Sequence, residues 1–173
     1  MKTFAKIVSV LSLALPLTAA AAESLPKPVS EMECLVGNWK GGGSMTMGKE
    51  KAKVDATWNC KRTSAKFGVL CTLHLSGIPG VASYDETDLF GFEPNTNTYH
   101  WYSVTNAGET HDHVAKVTSG NTIQFVFNGT QEGKAFKEVI DLAFGKDGKT
   151  VTGRGETFVA GASTSVLELN LRK

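Results

Sequence analysis

The sequence lacks several features that mark common protein classes. Beyond residue 22, no apolar run approaches the ~20 residues that a membrane-spanning helix needs. Neither sign of charge is in excess, because 18 lysine and arginine residues stand against 17 acidic ones. Nucleic acids and anionic membranes select a marked basic excess, so we expect neither as the main partner.

Familiar catalytic and metal-binding motifs are also missing. The chain contains no G-x-S-x-G, no H-E-x-x-H and no glycine loop that would bind phosphate. Its three cysteines, Cys34, Cys60 and Cys71, include no C-x-x-C pair, which argues against a zinc ribbon. The sequence therefore gives enzymatic activity little support.

The first 22 residues have the form of an export signal. Lys2 and Lys6 precede an apolar run from Ile7 to Thr18, and residues 20–22 are the small residues that a signal peptidase needs. We expect cleavage near Ala22, which makes the protein exported, periplasmic or secreted, with no integral membrane segment left. Without the two lysines, 16 basic side chains remain against 17 acidic ones.

After a polar lead-in over residues 23–29, a single domain is expected over 30–173. Ser30 followed by acidic residues predicts a short helix that begins there and ends near Gly37. We expect this helix to cover one end of the fold, beside Trp39.

The rest of the domain repeats a short alternating segment followed by a turn. Glycines such as Gly133, Gly148 and Gly161 stand where a turn needs positive φ, and short turns make consecutive strands antiparallel neighbours. The pattern predicts an all-β fold, a single antiparallel up-and-down β-barrel of about eight to ten strands with the short helix at one end. The candidate strands are 38–47, 51–61, 67–76, 86–92, 97–104, 110–117, 121–128, 134–144, 149–159 and 163–172.

The second and third candidate strands predict a disulfide bond. If Cys60 lies opposite Cys71, Trp58 falls opposite Leu73 and the whole apolar face is in register. A facing pair of this kind can meet the geometry of a bridge, although two reduced, buried cysteines remain an alternative. Cys34 is then the spare thiol, and we expect it to be buried under the helix.

Alternation along the strands also predicts the contents of the barrel. The segment 77–83 interrupts the strand rhythm and is expected to form a lid or rim. The inward set of side chains is expected to include Trp58, Phe90, Phe92, Phe125, Phe127, Phe136 and Phe144.

The Gly37-Asn38-Trp39 triplet opens the first strand, and the glycines at 41–43 let that strand bend. With the strand Leu89-Phe90-Gly91-Phe92 and the aromatic strand after it, these residues resemble the calycin superfamily. This group comprises the lipocalin and fatty-acid-binding-like barrels, including exported lipocalin-like bacterial proteins of unknown function. The triplet is similar to the family's G-x-W, and Arg172 matches the basic residue that often lies across that tryptophan. The resemblance implies a barrel that holds a small apolar or amphipathic molecule.

His111 and His113 carry the clearest chemical signal. In a predicted strand they share a face with Ala115 and Val117, so both imidazoles are expected to point inward. A three-residue turn at 118–120 would set His113 opposite Phe125 and His111 opposite Phe127. Two buried imidazoles are costly unless they form hydrogen bonds or bind something.

Three interpretations of these histidines are open. With His100 or Glu138 they would supply ligands for zinc, and the resemblance adds haem iron held by one histidine. They would otherwise be polar anchors in an apolar pocket, or would simply hydrogen-bond Tyr102, Ser103 or water. The face of His100 is undecided, because a shift of one residue exchanges it with its neighbour Trp101.

Glu138 falls in the inward set of its strand, among phenylalanines. It is either a ligand or metal contact, or it lies where a bulge returns it to solvent, and we expect the bulge. His74 alternates with polar residues and is expected to be exposed.

The sequence thus predicts first an exported barrel that binds a small apolar or amphipathic molecule and needs no cofactor. Its alternatives are a metal- or haem-binding barrel with His100, His111 and His113 as candidate ligands, and a filled barrel that acts through its surface. The predicted ligand-binding residues are Trp58, Phe90, Phe92, Tyr102, His111, His113, Phe125, Phe127 and Glu138.

Overall fold

A computed structural model describes residues 27–64, 67–116 and 122–173. The predicted export signal, most of the lead-in and the turn predicted at 118–120 lie outside these residues. The described chain begins with helix α1 (Lys27–Glu31) and a 3₁₀ turn (Met32–Leu35). Ten strands follow: β1 (Gly37–Met47), β2 (Glu50–Arg62), β3 (Gly68–Ser76), β4 (Tyr84–Glu93), β5 (Thr98–Thr105), β6 (Thr110–Lys116), β7 (Thr122–Gln131), β8 (Lys134–Phe144), β9 (Thr150–Val159) and β10 (Ala162–Arg172).

The ten strands form one closed antiparallel barrel. Each strand pairs with its neighbours in the chain, and β10 returns to pair with β1. This confirms the predicted up-and-down barrel. In the described part of the chain, no helix is long and apolar enough to cross a membrane.

The barrel closes where β1 is made of glycine. A Cβ on Gly41 would overlap the carbonyl oxygen of Asn170, and a Cβ on Gly43 would overlap that of Glu168. Both carbonyls belong to β10, so the last strand can approach the first this closely only because those side chains are missing.

Trp39 closes one end of the barrel. Its ring is fully buried, and its indole N–H donates to the carbonyl oxygen of Leu35, 2.7 Å away in the 3₁₀ turn. The Lys173 ammonium lies 4.4 Å from the ring centroid and donates to the carbonyl oxygen of Cys34. Arg172 lies opposite Lys40 and is exposed. The place across Trp39 that the resemblance assigns to Arg172 is therefore taken by Lys173. Leu169 and Leu171 point inward, so alternation along β10 turns Arg172 outward.

The N-terminal helix differs from the prediction. It begins at Lys27, three residues before Ser30, and continues as the 3₁₀ turn. Val29, Met32 and Leu35 are buried, and their spacing of three residues puts them on one side of a helix that tightens to three residues per turn. Cys34 does not lie on that buried side. It is only partly buried, with Sγ 3.0 Å from the carbonyl oxygen of Glu31, so its expected burial under the helix is wrong.

The Cys60–Cys71 disulfide is confirmed. The two cysteines face each other across β2 and β3, and Trp58 lies opposite Leu73 as predicted. Cys34 is the free thiol among the described cysteines.

Gly43→Ala tests the closure of the barrel. We expect it to lower the free energy of unfolding by about 1 to 3 kcal/mol, because the new methyl group displaces β10. The measurement is urea unfolding, with Gly91→Ala as the matched control: Gly91 lies in β4, and a Cβ there meets nothing within 4 Å. Equal stability of the two variants would show that the glycines of β1 are not required for closure.

The disulfide is tested by Cys60→Ala together with Cys71→Ala. For a bridge across 11 residues, the loss should be about 2 to 3 kcal/mol in the free energy of unfolding. Reductant should lower the stability of the original protein and leave that of the double variant unchanged. Cys34→Ala should respond to reductant as the original protein does; if it does not, Cys34 takes part in the effect.

Candidate functional site

The barrel interior has a filled half and a hollow half. Next to the closed end, four large rings pack together with centroid separations from 4.8 to 6.3 Å, those of Trp58, Phe90, Trp101 and Phe125. Trp58 and Trp101 also line the cavity on the other side of this layer. The aromatic layer is therefore the floor of the hollow half.

Above the floor lies a cavity of about 500 Å³. Much of its wall is aliphatic or aromatic, with side chains such as Leu73, Leu75, Phe136, Ile140, Leu142 and Leu169. Met47 and Val81 line its far end and are 39% and 48% exposed, so the cavity opens there. Val81 and Ile78 belong to the segment 77–83, which supplies part of the rim.

One side of the cavity carries two histidines and a glutamate. Strand β6 turns His111 and His113 inward, as predicted, and β8 turns Glu138 toward them. Nδ1 of His111 lies 2.7 Å, and Nε2 of His113 2.9 Å, from the same oxygen of Glu138, Oε2. The ring of Phe127 stacks on His111 at 4.1 Å.

Glu138 is ionised in this arrangement. Burial by itself would raise the pKa of its carboxyl group, but the hydrogen bonds and charges of His113 and His111 lower that pKa below its ordinary value. The expected bulge is wrong: β8 keeps a continuous register with β7 and β9, and Glu138 lies opposite Phe127 and Thr157. The two imidazoles satisfy the carboxylate inside the barrel, so no bulge is needed to return it to water.

The register between β6 and β7 also differs from the prediction. Val114 lies opposite Val126, which sets His113 against Phe127 rather than Phe125. The shift of two residues keeps the same faces inward, because the side-chain period of a strand is two.

The aromatic strand β5 turns Trp101 and Ser103 inward and His100 and Tyr102 outward. His100 Nδ1 lies 3.0 Å from Asp112, and its ring stacks on Tyr102 at 5.7 Å. Tyr102 is 45% exposed. Neither residue lines the cavity, so His100 cannot join the inner histidines and Tyr102 cannot contact a molecule inside.

The nine predicted ligand-binding residues divide into those that line the cavity and those that do not. Of the nine, Trp58, His111, His113 and Glu138 line the cavity. Phe90 and Phe125 lie in the aromatic layer, Phe92 packs on Tyr99 at 5.3 Å, and Phe127 lies behind His111. These four rings support the site without forming the cavity wall that the described residues provide.

Sequence reasoning missed a second polar group, the acids Glu86 and Asp88 of β4. Asp88 is fully buried and accepts the indole N–H groups of Trp58, at 2.9 Å, and Trp101, at 2.7 Å. The signal was present, because both acids have the same parity as Phe90 in a strand whose phenylalanines were expected to point inward.

These two acids share a proton. Burial, the negative charge of Asp88 and a hydrogen bond to it raise the pKa of Glu86 to about 9. Burial raises the pKa of Asp88 as well, while hydrogen bonds from Glu86, Trp101 and Trp58 act to lower it. Glu86 therefore holds a proton at neutral pH and donates it in the hydrogen bond to Asp88.

Comparison with known proteins finds no matching family model and no matching curated protein. Among solved structures, the chain is similar to the crystal structure of Rv2717c from M. tuberculosis, with a TM-score of 0.66. The two chains are 14% identical, over 87% of this chain and 99% of that one. This likeness supports the barrel fold alone, and the resemblance to the calycin superfamily stays a prediction.

The shared proton predicts a pH dependence for Glu86→Gln. The pKa of Glu86 is raised in the folded protein, so between about pH 4.5 and pH 9 the native state holds a proton that the unfolded chain has released. The stability of the original protein should therefore fall, relative to the variant, as pH rises through this window. The ratio of the two unfolding equilibrium constants should change by up to about tenfold per pH unit in this window and become constant below pH 4.5.

Urea unfolding at several pH values measures this difference. Glu50→Gln, which removes an exposed acid at the start of β2, is the control for net charge and should run parallel to the original protein. If Glu86→Gln also runs parallel to it, Glu86 does not hold the proton.

Proposed function

We propose that the protein is an exported barrel that binds a small, largely apolar molecule with one polar end. The observation that carries the proposal is the hollow half of the barrel, about 500 Å³ in volume, with an apolar wall, one polar side and an open rim. Cavities of this size and character are typical small-molecule sites. The filled-barrel alternative is disfavoured because the interior contains this cavity above the aromatic layer.

Export is supported by two features. The first 22 residues read as an export signal, and the Cys60–Cys71 disulfide is of a kind that persists in oxidising compartments. The resemblance to calycins favours the binding of a small molecule, since barrels of that group hold small apolar molecules.

The charges inside the cavity restrict the polar end of the ligand. Glu86, Glu109 and Glu138 line it. Arg154 and Glu156 alternate with Gly155 along β9, so they face outward and pair with each other at 2.8 Å. In the described part of the chain, no arginine or lysine side chain points into the cavity. A carboxylate or phosphate would lack a cationic partner there, so we expect a neutral hydrogen-bonding group or a cation.

The apolar part of the ligand should lie against the leucine and isoleucine wall. Burial of apolar surface is worth about 25 cal/mol per Å², and this supplies the affinity. Hydrogen bonds to the histidine and glutamate side chains orient the molecule.

Gly155→Leu tests the proposal because it fills the cavity from within. Gly155 lines the cavity in β9, and a Cβ there comes no closer than 3.9 Å to Ile140. The probe is N-phenyl-1-naphthylamine, an uncharged apolar dye whose fluorescence rises in an apolar site. We expect one saturable site in the original protein and at least about tenfold weaker binding in the variant.

Gly91→Leu is the matched control, since Gly91 faces outward with open space around it. It should bind the dye as the original protein does, while the anionic dye 1-anilinonaphthalene-8-sulfonate should bind the original protein less well than the neutral one. Unchanged binding in Gly155→Leu, or no binding of the neutral dye at all, would contradict the proposal. Circular dichroism of each variant confirms that it is folded.

A further inference from the structure

Three potential metal ligands converge on one side of the cavity. They are His111, His113 and Glu138. Each offers one ligand atom, an imidazole nitrogen or a carboxylate oxygen, and these three atoms lie within 4.8 Å of one another. In a tetrahedral zinc site with bonds of about 2.0 to 2.2 Å, neighbouring ligand atoms are ~3.3 Å apart. To admit an ion, the imidazole–carboxylate distances of 2.7 and 2.9 Å need to open by a few tenths of an ångström. The two imidazole nitrogens, which lie within 4.8 Å of each other, need to move closer together.

The surroundings hold these ligands in place. His113 is 2% exposed and packs against Trp101 at 5.5 Å, while His111 stacks on Phe127. Nδ1 of His113 has no hydrogen-bond partner among the described residues, so Glu138 alone anchors this ring by hydrogen bonding. Positioning of this kind lowers the cost of bringing ligands together.

The electrostatics favour a cation at this position. Glu86 and Glu109 line the same cavity as Glu138, and no arginine or lysine side chain of the described residues points into it. A divalent ion bound to one carboxylate and two neutral imidazoles has a net charge of +1, which suits a cavity whose charged side chains are acidic. Two nitrogen ligands select a transition metal over Mg²⁺ or Ca²⁺, which prefer oxygen.

We propose that His111, His113 and Glu138 bind a divalent transition-metal ion, Zn²⁺ in first place, in the wall of the cavity. His111 would use Nδ1 and His113 Nε2, each with its proton on the other ring nitrogen. Three protein ligands leave the fourth position of a tetrahedral ion to the cavity, the arrangement in which zinc accepts water or an added ligand. The site does not depend on an organic ligand, because the ion can bind when no such molecule is present.

Haem fits the same residues less well. Its two propionates would require cations, and no arginine or lysine side chain of the described residues points into the cavity. An organic ammonium ion would pair with Glu138 without using the histidine lone pairs. Both are alternatives that the experiment distinguishes.

The test is a Co²⁺ titration of protein without a histidine tag, after dialysis against a chelator. Co²⁺ reports a four-coordinate site of nitrogen and oxygen ligands through intense visible absorption bands. We expect these bands to saturate at one ion per chain, to be displaced by Zn²⁺, and to accompany a rise in Tm with Zn²⁺.

Two variants assign the ligands. His111→Ala and Glu138→Gln should each weaken Co²⁺ and Zn²⁺ binding at least tenfold, and Glu138→Gln does so with almost no change in shape. His100→Ala is the matched control: it removes a histidine that is also paired with a carboxylate, Asp112, but on the outer face. It should bind both ions as the original protein does.

Several outcomes would overturn the inference. One is the absence of cobalt bands together with the absence of any Zn²⁺-dependent rise in Tm. Another is Co²⁺ binding that is unchanged in His111→Ala and in Glu138→Gln. A Soret band with added haem that disappears in His111→Ala, without cobalt bands, would favour haem instead. Binding of a protonated alkylamine that depends on Glu138 and not on His111, again without cobalt bands, would favour the ammonium ion. Dye binding is measured separately, so failure of the metal site and failure of the proposed function are distinguishable.

Discussion

The contact between β1 and β10 is the constraint on which the rest of the structure depends. Closure removes the free edges of the sheet, and it requires two backbones to approach at Gly41 and Gly43 more closely than side chains would permit. Once the sheet is closed, every second side chain faces an enclosed space. Strand alternation therefore separates the side chains of the interior from those of the outer surface. The interior side chains form the aromatic layer at one end and the cavity wall at the other.

Polar groups inside such a space must satisfy one another. The barrel does this in two ways. Asp88 accepts hydrogen bonds from two indole N–H groups and from the protonated Glu86, while one oxygen of Glu138 lies at hydrogen-bond distance from both imidazoles. The first group is closed, because its donors and acceptors are matched. The second is open to replacement, because its imidazole nitrogens and carboxylate are also good metal ligands. The chain as a whole is nearly neutral, but its cavity is acidic, and this difference gives the site its expected preference for cations and neutral polar groups.

Much of the fold and part of the site followed from local patterns. The strands, the turns and the Cys60–Cys71 pairing were predictable because a hairpin has a single register that buries its apolar face. The inward direction of His111 and His113 followed from the same alternation. Two expectations failed where the outcome depended on other strands: the bulge at Glu138 and the register of β6 against β7. The outward direction of Arg172, by contrast, follows from alternation along β10 itself.

The sequence by itself determined which side chains share a face, because alternation is a property of one strand and needs no partner. The alternation along β4 also places Glu86 and Asp88 on the same inward face as Phe90, although this was not recognised from the sequence. Only the tertiary structure decided which faces meet across the barrel: that Glu138 reaches two histidines on a non-neighbouring strand, that His100 lies outside, and that Lys173 covers Trp39. These contacts depend on the registers of all ten strands around a closed ring, and a shift in any one of them would redistribute the partners without changing the pattern of any single strand.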